Sequence, residues 1–255
     1  MIRKIHILIL LTFAAPASHA QPARYGLNNI HAHNDYDHNI PFVQAYALGI
    51  GSIEADVLLI NDTLFVAHGR NEIKRDVLFE TTYLKKLEEG IKKNHGYAYA
   101  DTSRVLQLLI DIKTDTLQTL NAVIKSIQQF PLLLNNRSIR FVITGNQPSP
   151  SQFNQYPSYI LFDGKIQSVE HTSQLSRIGL FSADFSRYSK WKGEGPIPET
   201  DLLLIKKDIS QAHTLNRQIR FWGVPDNLLT WKIMMELGVD YINTDQIVKV
   251  AAFLQ

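Results

Sequence analysis

Several features are missing from this sequence, and each absence narrows the class of protein it encodes. The 255 residues contain no cysteine, which excludes disulfide frameworks, zinc–cysteine sites and thiol nucleophiles. There is no large excess of one charge, because 26 Lys and Arg residues face 24 Asp and Glu residues. A near-neutral chain gives no reason to expect nucleic acid or an acidic membrane as a partner. The hydrophobic fraction of 45% is enough for a substantial core.

A long membrane-spanning run is also missing, and the apolar run at the amino terminus has another interpretation. Arg3 and Lys4 precede an apolar stretch over residues 5–13, and Ser18 and Ala20 place small residues where a signal peptidase cleaves. A spanning helix needs about 20 apolar residues. The pattern therefore predicts a signal peptide over residues 1–20, cleaved after Ala20, and a periplasmic or secreted domain over residues 21–255 without a stable membrane anchor.

Short apolar runs rich in β-branched residues recur along the rest of the chain. The eight runs are residues 28–33, 52–57, 106–111, 140–144, 159–162, 178–182, 218–222 and 240–244. Helical periodicity lies between several of them, at residues 116–130, 200–216 and 227–237. This alternation predicts parallel strands joined by helices, and eight strands predict a single (β/α)8 TIM barrel. The runner-up is an open doubly wound sheet, but no G-x-G-x-x-G motif follows the first strand.

The segment between the second and third runs is too long for one crossover. Residues 58–60 and 64–66 are apolar, and Asn61, Asp62 and Thr63 between them are turn residues. This pattern predicts a small β-hairpin insertion after strand 2. Asp62 lies midway between Asp56 and His68, so the folded hairpin brings His68 back opposite Asp56.

Ionisable residues lie near the carboxyl end of almost every predicted strand, which is where barrel active sites are built. Residues two apart on a strand face the same side, so Glu54 and Asp56 form one pair, and Asp111 and Lys113 form another. Neighbouring carboxylates repel each other, and one hard divalent cation, Ca²⁺ or Mg²⁺, relieves that repulsion. The alternative is that these carboxylates form buried salt bridges with nearby Lys or Arg.

Histidines flank this predicted metal site. His31 and His33 end the first strand, and His68 ends the hairpin. Two imidazoles beside a hard cation suit cleavage of a phosphodiester, because one can accept a proton from the attacking oxygen while the other donates one to the leaving oxygen.

Several motifs, in this order, carry a resemblance to a known family. They are His31-Ala32-His33-Asn34-Asp35-Tyr36, Ser52-Ile53-Glu54-Ala55-Asp56-Val57, Leu64-Phe65-Val66-Ala67-His68, Leu109-Ile110-Asp111-Ile112-Lys113, Thr144-Gly145-Asn146, Phe162-Asp163-Gly164 and Gly238-Val239-Asp240-Tyr241-Ile242-Asn243-Thr244-Asp245. The sequence resembles the superfamily of glycerophosphodiester phosphodiesterases and phosphatidylinositol-specific phospholipases C. Within it, the closest resemblance is to the H-x-H-N-D-Y group, which includes the fungal altered inheritance of mitochondria proteins.

The resemblance implies a metal-dependent phosphodiesterase acting on a small phosphodiester or phospholipid-derived substrate. The implied site residues are His33 and His68 for catalysis, Glu54, Asp56, Asp111 and Asn34 for the metal, and Lys113, Trp222 and His31 for substrate. His33 is preferred to His31 as the catalytic histidine because Asn34 adjoins it, and His31 remains the alternative.

The sequence departs from the family's motif at one point, and two other classes of function remain as alternatives. Glycerophosphodiesterases have Arg-Gly directly after the first histidine, whereas Asn34-Asp35 follows His33, so their phosphate-binding arginine has no counterpart there. A zinc amidohydrolase-like enzyme also begins with H-x-H but needs histidines on later strands, where this chain has Asp163 and Asp184. A non-catalytic barrel that binds a phosphorylated ligand is the third class.

Overall fold

The structure is a computed structural model that describes residues 24–168 and 172–254. The predicted signal peptide and its cleavage site after Ala20 lie outside the described residues. In the described ranges, no helix combines the length and the apolar character that crossing a membrane requires.

Eight parallel strands form a nearly closed barrel, with a ninth strand attached to its side. The strands are β1 (Ile30–Ala32), β2 (Ser52–Ile60), β3 (Thr63–Val66), β4 (Leu106–Ile112), β5 (Ile139–Gly145), β6 (Ile160–Gly164), β7 (Ile178–Asp184), β8 (Ile219–Trp222) and β9 (Ile242–Thr244). Their order is β8-β7-β6-β5-β4-β2-β1-β9, and a parallel bridge between Arg220 and Tyr241 joins β8 to the start of β9. The barrel prediction is confirmed, and the open doubly wound sheet is excluded.

Helices connect the strands on the outside of the barrel. They are α1 (Val43–Leu48), α2 (Lys85–Lys93), α3 (Thr116–Gln128), α4 (Thr172–Leu175), α5 (Glu199–Thr214), α6 (Leu228–Leu237) and α7 (Ile247–Phe253). The chain fixes the start of α3 with Asp115, whose side chain accepts a hydrogen bond from the Gln118 amide, and Asn227 does the same for α6 through Thr230. Such caps satisfy amide groups that a helix leaves without partners.

β3 folds back on the end of β2 as an antiparallel hairpin. The register pairs Val57 with Val66 and Ile60 with Thr63, so Thr63 belongs to the strand and the turn consists of Asn61 and Asp62. Both turn residues have positive φ, which suits a tight two-residue hairpin and is tolerated by Asn and Asp.

Apolar side chains fill two separate regions. The larger core lies between the strands and the outer elements, and a smaller cluster consists of Leu109, Val142, Leu180 and Tyr241, with Leu161 packed against it. Because side chains alternate along a strand, Leu109 shares its face of β4 with Asp111, two residues nearer the carboxyl end. The small cluster therefore fills the barrel interior below the polar carboxyl ends of the strands.

Candidate active site

Three carboxylates meet where the carboxyl end of β4 lies beside the middle of β2. Asp56 and Asp111 are register partners on the two strands, and Glu54 lies two residues earlier on β2. One oxygen from each carboxylate lies within 4.8 Å of the others. Two of these residues are buried and Asp111 is partly buried. The strand register thus brings together the acidic residues that the sequence predicted to share a site, and this acidic triad can hold a metal ion.

Basic side chains compensate part of this negative charge. Arg220 Nη1 lies 2.9 Å from Glu54 Oε2, and Lys113 Nζ lies 3.0 Å from Asp56 Oδ2 and 2.8 Å from Asp111 Oδ2. The salt bridges considered as an alternative to a metal site are therefore present in the structure.

The salt bridges leave two carboxylate oxygens without partners. Within the described ranges, Asp56 Oδ1 and Asp111 Oδ1 are buried and accept no hydrogen bond. Buried acceptors are normally satisfied, and an unpaired one calls for a partner such as an ion. The donor set and the unpaired oxygens fit an oxygen-liganded cation.

The carboxylates titrate differently because their surroundings differ. Burial, together with the charges of Glu54 and Asp111, raises the pKa of Asp56 to about 6. Burial also raises the pKa of Asp111, against the opposing charge of Lys113. Burial alone would raise the pKa of Glu54, but the charge of Arg220 and the hydrogen bond from His31 hold it below its usual range. Glu54 therefore stays ionised, and a cation at the site would favour ionisation of the other two.

The loop after β1 places Asn34 beside this cluster. Asn34 has a left-handed backbone with φ of 46°, and its Oδ1 atom accepts a hydrogen bond of 2.8 Å from the Tyr36 hydroxyl. The same hydroxyl lies 2.9 Å from Asp56 Oδ2. Asp35 is fully buried and accepts hydrogen bonds from the Tyr83 hydroxyl and the Phe42 amide. Asp35 thus anchors the loop, and Tyr36 holds the Asn34 oxygen close to the carboxylates.

His33 and His68 approach the site from different elements. His33 Nδ1 lies 2.7 Å from Asp245 Oδ1, and its side chain is 27% exposed. His68 Nδ1 lies 3.0 Å from Asp56 Oδ2, with a side chain that is 65% exposed. The hairpin positions His68, because the preceding residue, Ala67, donates its amide hydrogen to the Asp56 carbonyl. Both imidazoles are accessible beside the carboxylates.

His31 does not have the position that a substrate-binding residue needs, and this part of the prediction is corrected. Its side chain has no exposed surface, and its ring nitrogens lie 2.7 Å from Ser52 Oγ and 2.6 Å from Glu54 Oε2. Burial, and next the charge of Arg220, lowers the pKa of His31 to about 4. His31 therefore supports Glu54 from inside the barrel as a neutral imidazole.

Lys113 and Trp222 lie at the rim of the site. Lys113 is partly exposed while it contacts Asp56 and Asp111. Trp222 ends β8, pairs in register with Asp184 and is 43% exposed. Both side chains are accessible to a ligand at the carboxyl end of the barrel.

The sequence did not predict that Arg220 belongs to the site. It is buried on β8 and contacts Glu54, His31 and Asn243 Oδ1, while its Nε donates to Ser182 Oγ at 2.8 Å. The signal in the sequence was a charged residue between the apolar residues Ile219 and Phe221 of a predicted strand.

Comparisons with known proteins agree with this fold. A model described as AIM6-like phosphodiesterase domain matches residues 26–148, and a model of the glycerophosphoryl diester phosphodiesterase family matches residues 218–246. The first segment contains the acidic triad and both accessible histidines. In these two segments the chain is similar to the glycerophosphodiester phosphodiesterase superfamily.

Individual relatives are similar to this chain over most of its length. Altered inheritance of mitochondria protein 6 of Kluyveromyces lactis is 28% identical, over 88% of this chain and 72% of that protein. Its homolog in Arthroderma benhamiae is also 28% identical, over 86% of this chain and 81% of that protein. The protein is thus AIM6-like. A crystal structure of a glycerophosphodiester phosphodiesterase from Parabacteroides distasonis shares the fold, with a TM-score of 0.55 and 14% identity over 89% of this chain and 96% of that one.

Proposed function

We propose that this protein is a secreted phosphodiesterase that needs one divalent cation and cleaves a small phosphodiester or a phospholipid headgroup ester. The observation that carries the proposal is the juxtaposition of the acidic triad with two accessible histidines, each held through Nδ1 by a carboxylate. The similarity to phosphodiesterase families and the predicted signal peptide support it.

Glu54, Asp56 and Asp111 would hold the cation, and the Asn34 oxygen is the fourth candidate ligand. Carboxylate and amide oxygens favour Ca²⁺ or Mg²⁺ over Zn²⁺. When bound, such a cation would offset negative charge on the phosphate. A zinc amidohydrolase-like site has less support, because β6 and β7 carry Asp163 and Asp184 near their carboxyl ends instead of histidines.

The two histidines supply proton transfer. Asp245 engages Nδ1 of His33, which leaves Nε2 to act as the general base on water or on a substrate hydroxyl. Asp56 engages Nδ1 of His68 in the same way, so its Nε2 can protonate the leaving alcohol. The alternative is the reverse assignment, with His68 as the base and His33 as the acid. Lys113 would attract the phosphate, and Trp222 would contact the esterified alcohol.

The test is hydrolysis of bis(p-nitrophenyl) phosphate by protein stripped with a chelator and then given Ca²⁺, Mg²⁺, Mn²⁺ or Zn²⁺ separately. We expect a hard cation to restore activity in the wild type but not in Asp111→Asn, which keeps the side-chain size. Glu89→Gln on the surface of α2 is the matched control and should respond as the wild type does. Restoration by Zn²⁺ alone would favour the amidohydrolase-like class, and inactivity with every cation and with natural phosphodiesters would favour a barrel that only binds.

A further inference from the structure

The amino-terminal end of the barrel, opposite the acidic triad, opens into a cavity of about 670 Å³. We call this cavity the basal bowl. Residues at or just before the starts of β4, β5, β7, β8 and β9 line it, and Leu161 and Tyr241 of the inner apolar cluster belong to its lining. Pockets for small ligands typically have volumes of roughly 300–1,000 Å³. The basal bowl is therefore large enough for a small organic molecule.

Three arginines, Arg104, Arg140 and Arg217, line the basal bowl. Among the described residues, the arginine ion pairs involve Arg220 and none of these three. The two carboxylates in the lining have other partners. Asp240 Oδ2 accepts hydrogen bonds from His213 Nε2 and the Ile219 amide, both at 2.9 Å, and Asp101 Oδ1 accepts one of 2.6 Å from Ser103 Oγ.

Arg140 and Arg217 are held by neutral groups, so their charges stay uncompensated by protein carboxylates. Arg140 Nη1 donates to Gln218 Oε1 at 2.7 Å and to the Gly179 carbonyl, and its Nε and Nη2 make no hydrogen bond in the described part of the chain. Arg217 donates to the carbonyls of Leu175 and Asn216. Burial, and next the charge of Arg140, lowers the pKa of Arg217, so the two guanidinium groups act on each other.

We propose that the basal bowl is a second binding site, specific for a small phosphate-type oxyanion. Two like charges beside one cavity repel each other, and an anion between them removes that cost. Guanidinium groups present a planar fork of donors that matches phosphate oxygens. Phosphate is favoured over a carboxylate because its three or four oxygens can accept from both forks at once, whereas a carboxylate has two oxygens.

The proposal can be tested without interference from the acidic triad. When the protein is treated with chelator, the carboxylates repel anions at that end of the barrel, so an added oxyanion reports on the basal bowl. We would titrate the chelated wild type with inorganic phosphate, methyl phosphate and acetate by calorimetry. The expected result is one phosphate site, weakened at least tenfold by the double change Arg140→Gln and Arg217→Gln. Tighter binding of methyl phosphate would identify a phosphomonoester as the ligand class, and tighter binding of inorganic phosphate would identify the free anion.

The matched control is Arg137→Gln, because Arg137 is exposed just before β5 but does not line the basal bowl. Its phosphate affinity should stay within twofold of the wild type. The single change Arg140→Gln keeps the hydrogen bonds from Arg217 to backbone carbonyls. It therefore tests the site if the double variant unfolds, and it should weaken phosphate binding at least threefold. The Nε–H signal of Arg140 in a ¹H–¹⁵N spectrum should shift with phosphate. Equal affinity in the wild type and Arg140→Gln, an unshifted Arg140 signal, or acetate binding as tightly as phosphate would overturn the proposal.

Discussion

The imidazole of His33 and the carboxylate of Asp245 meet across the closing strands of the barrel, with Nδ1 2.7 Å from Oδ1. Their strands, β1 and β9, are parallel neighbours in which His31 pairs with Asn243, so the residues two positions later also lie side by side. Burial alone would lower the pKa of His33, but the hydrogen bond to Asp245 and the charges of Glu54 and Asp245 raise it overall. Asp245 therefore both orients the imidazole and increases its basicity.

The first prediction concerns Asp245→Asn. Without the carboxylate, the pKa of His33 falls, so the acidic limb of the kcat/KM profile should move to lower pH. The plateau should fall at least about tenfold, because the favoured tautomer and orientation of the general base are lost. The measurement is kcat/KM against pH, with Asp37→Asn, an exposed residue of the loop after β1, as control. An unchanged acidic limb in Asp245→Asn would show that Asp245 does not act through His33.

The second prediction concerns the two accessible histidines. His33→Ala and His68→Ala should each lower kcat by about 10² to 10⁴, the usual contribution of a positioned acid or base. Thermal midpoints should change little for His68→Ala, because that side chain is mostly exposed. His95→Asn is the control, since His95 is exposed and its φ of 53° suits asparagine. Unchanged turnover in either alanine variant would remove that histidine from the mechanism.

The sequence predicted the site residues that depend on local spacing and missed those that depend on closure of the barrel. The period of two along a strand puts Glu54 and Asp56 on one face. The hairpin turn brings Ala67 back opposite Asp56, one residue from the expected position, and His68 follows it and reaches the Asp56 carboxylate. Arg220 meets His31 across 189 residues of sequence, and this contact depends on how the last strands return to the first. The burial of His31 follows from the same closure, so local spacing could not distinguish it from His33.

The third prediction concerns the stability of this cross-barrel network. Arg220→Gln removes the charge that compensates Glu54 in a buried site, so the free energy of unfolding should fall by about 3 to 5 kcal/mol. Lys86→Gln is the control, because it breaks only a surface ion pair with Glu89. It should change the free energy of unfolding by about 0 to 1 kcal/mol. Urea unfolding of both variants measures the difference. If Arg220→Gln lowered the free energy of unfolding as little as Lys86→Gln does, Arg220 would not be the main partner of Glu54.

The fourth prediction concerns Asp163, which is buried on β6 and accepts a hydrogen bond of 2.9 Å from Thr144 Oγ1. Burial raises the pKa of Asp163 to about 6, so the folded state favours the protonated form. The stability that this proton contributes is fully present below the ordinary pKa near 4 and is lost as pH rises through about 6.

Asp163→Asn should therefore gain stability relative to the wild type as pH rises. The two proteins should have similar thermal midpoints near pH 4, and the variant should be more stable by about 2 to 3 kcal/mol near pH 7.5. Thermal unfolding at several pH values tests this, with Asp201→Asn on α5 as the control. A difference between Asp163→Asn and the wild type that is constant with pH would contradict a neutral Asp163 in the folded state.

The fifth prediction uses the close approach of Gly145 to Asp111. Gly145 has φ of +71°, and a Cβ atom there would lie 1.9 Å from Asp111 Oδ1, one of the two unpaired oxygens. Gly145→Ala must therefore displace the Asp111 carboxylate and weaken cation binding. The wild type should show a higher thermal midpoint with Ca²⁺ or Mg²⁺ than with chelator, because a ligand that binds the folded state stabilises it. That increase should be mostly lost in Gly145→Ala.

Gly195→Ala is the control for this prediction. Gly195 has a similar φ of +62°, and nothing lies within 4 Å of the added Cβ, so this variant has the backbone strain without the clash. Equal cation-dependent increases in both variants would show that Asp111 is not a ligand, and the acidic triad would then bind its cation through Glu54 and Asp56 alone.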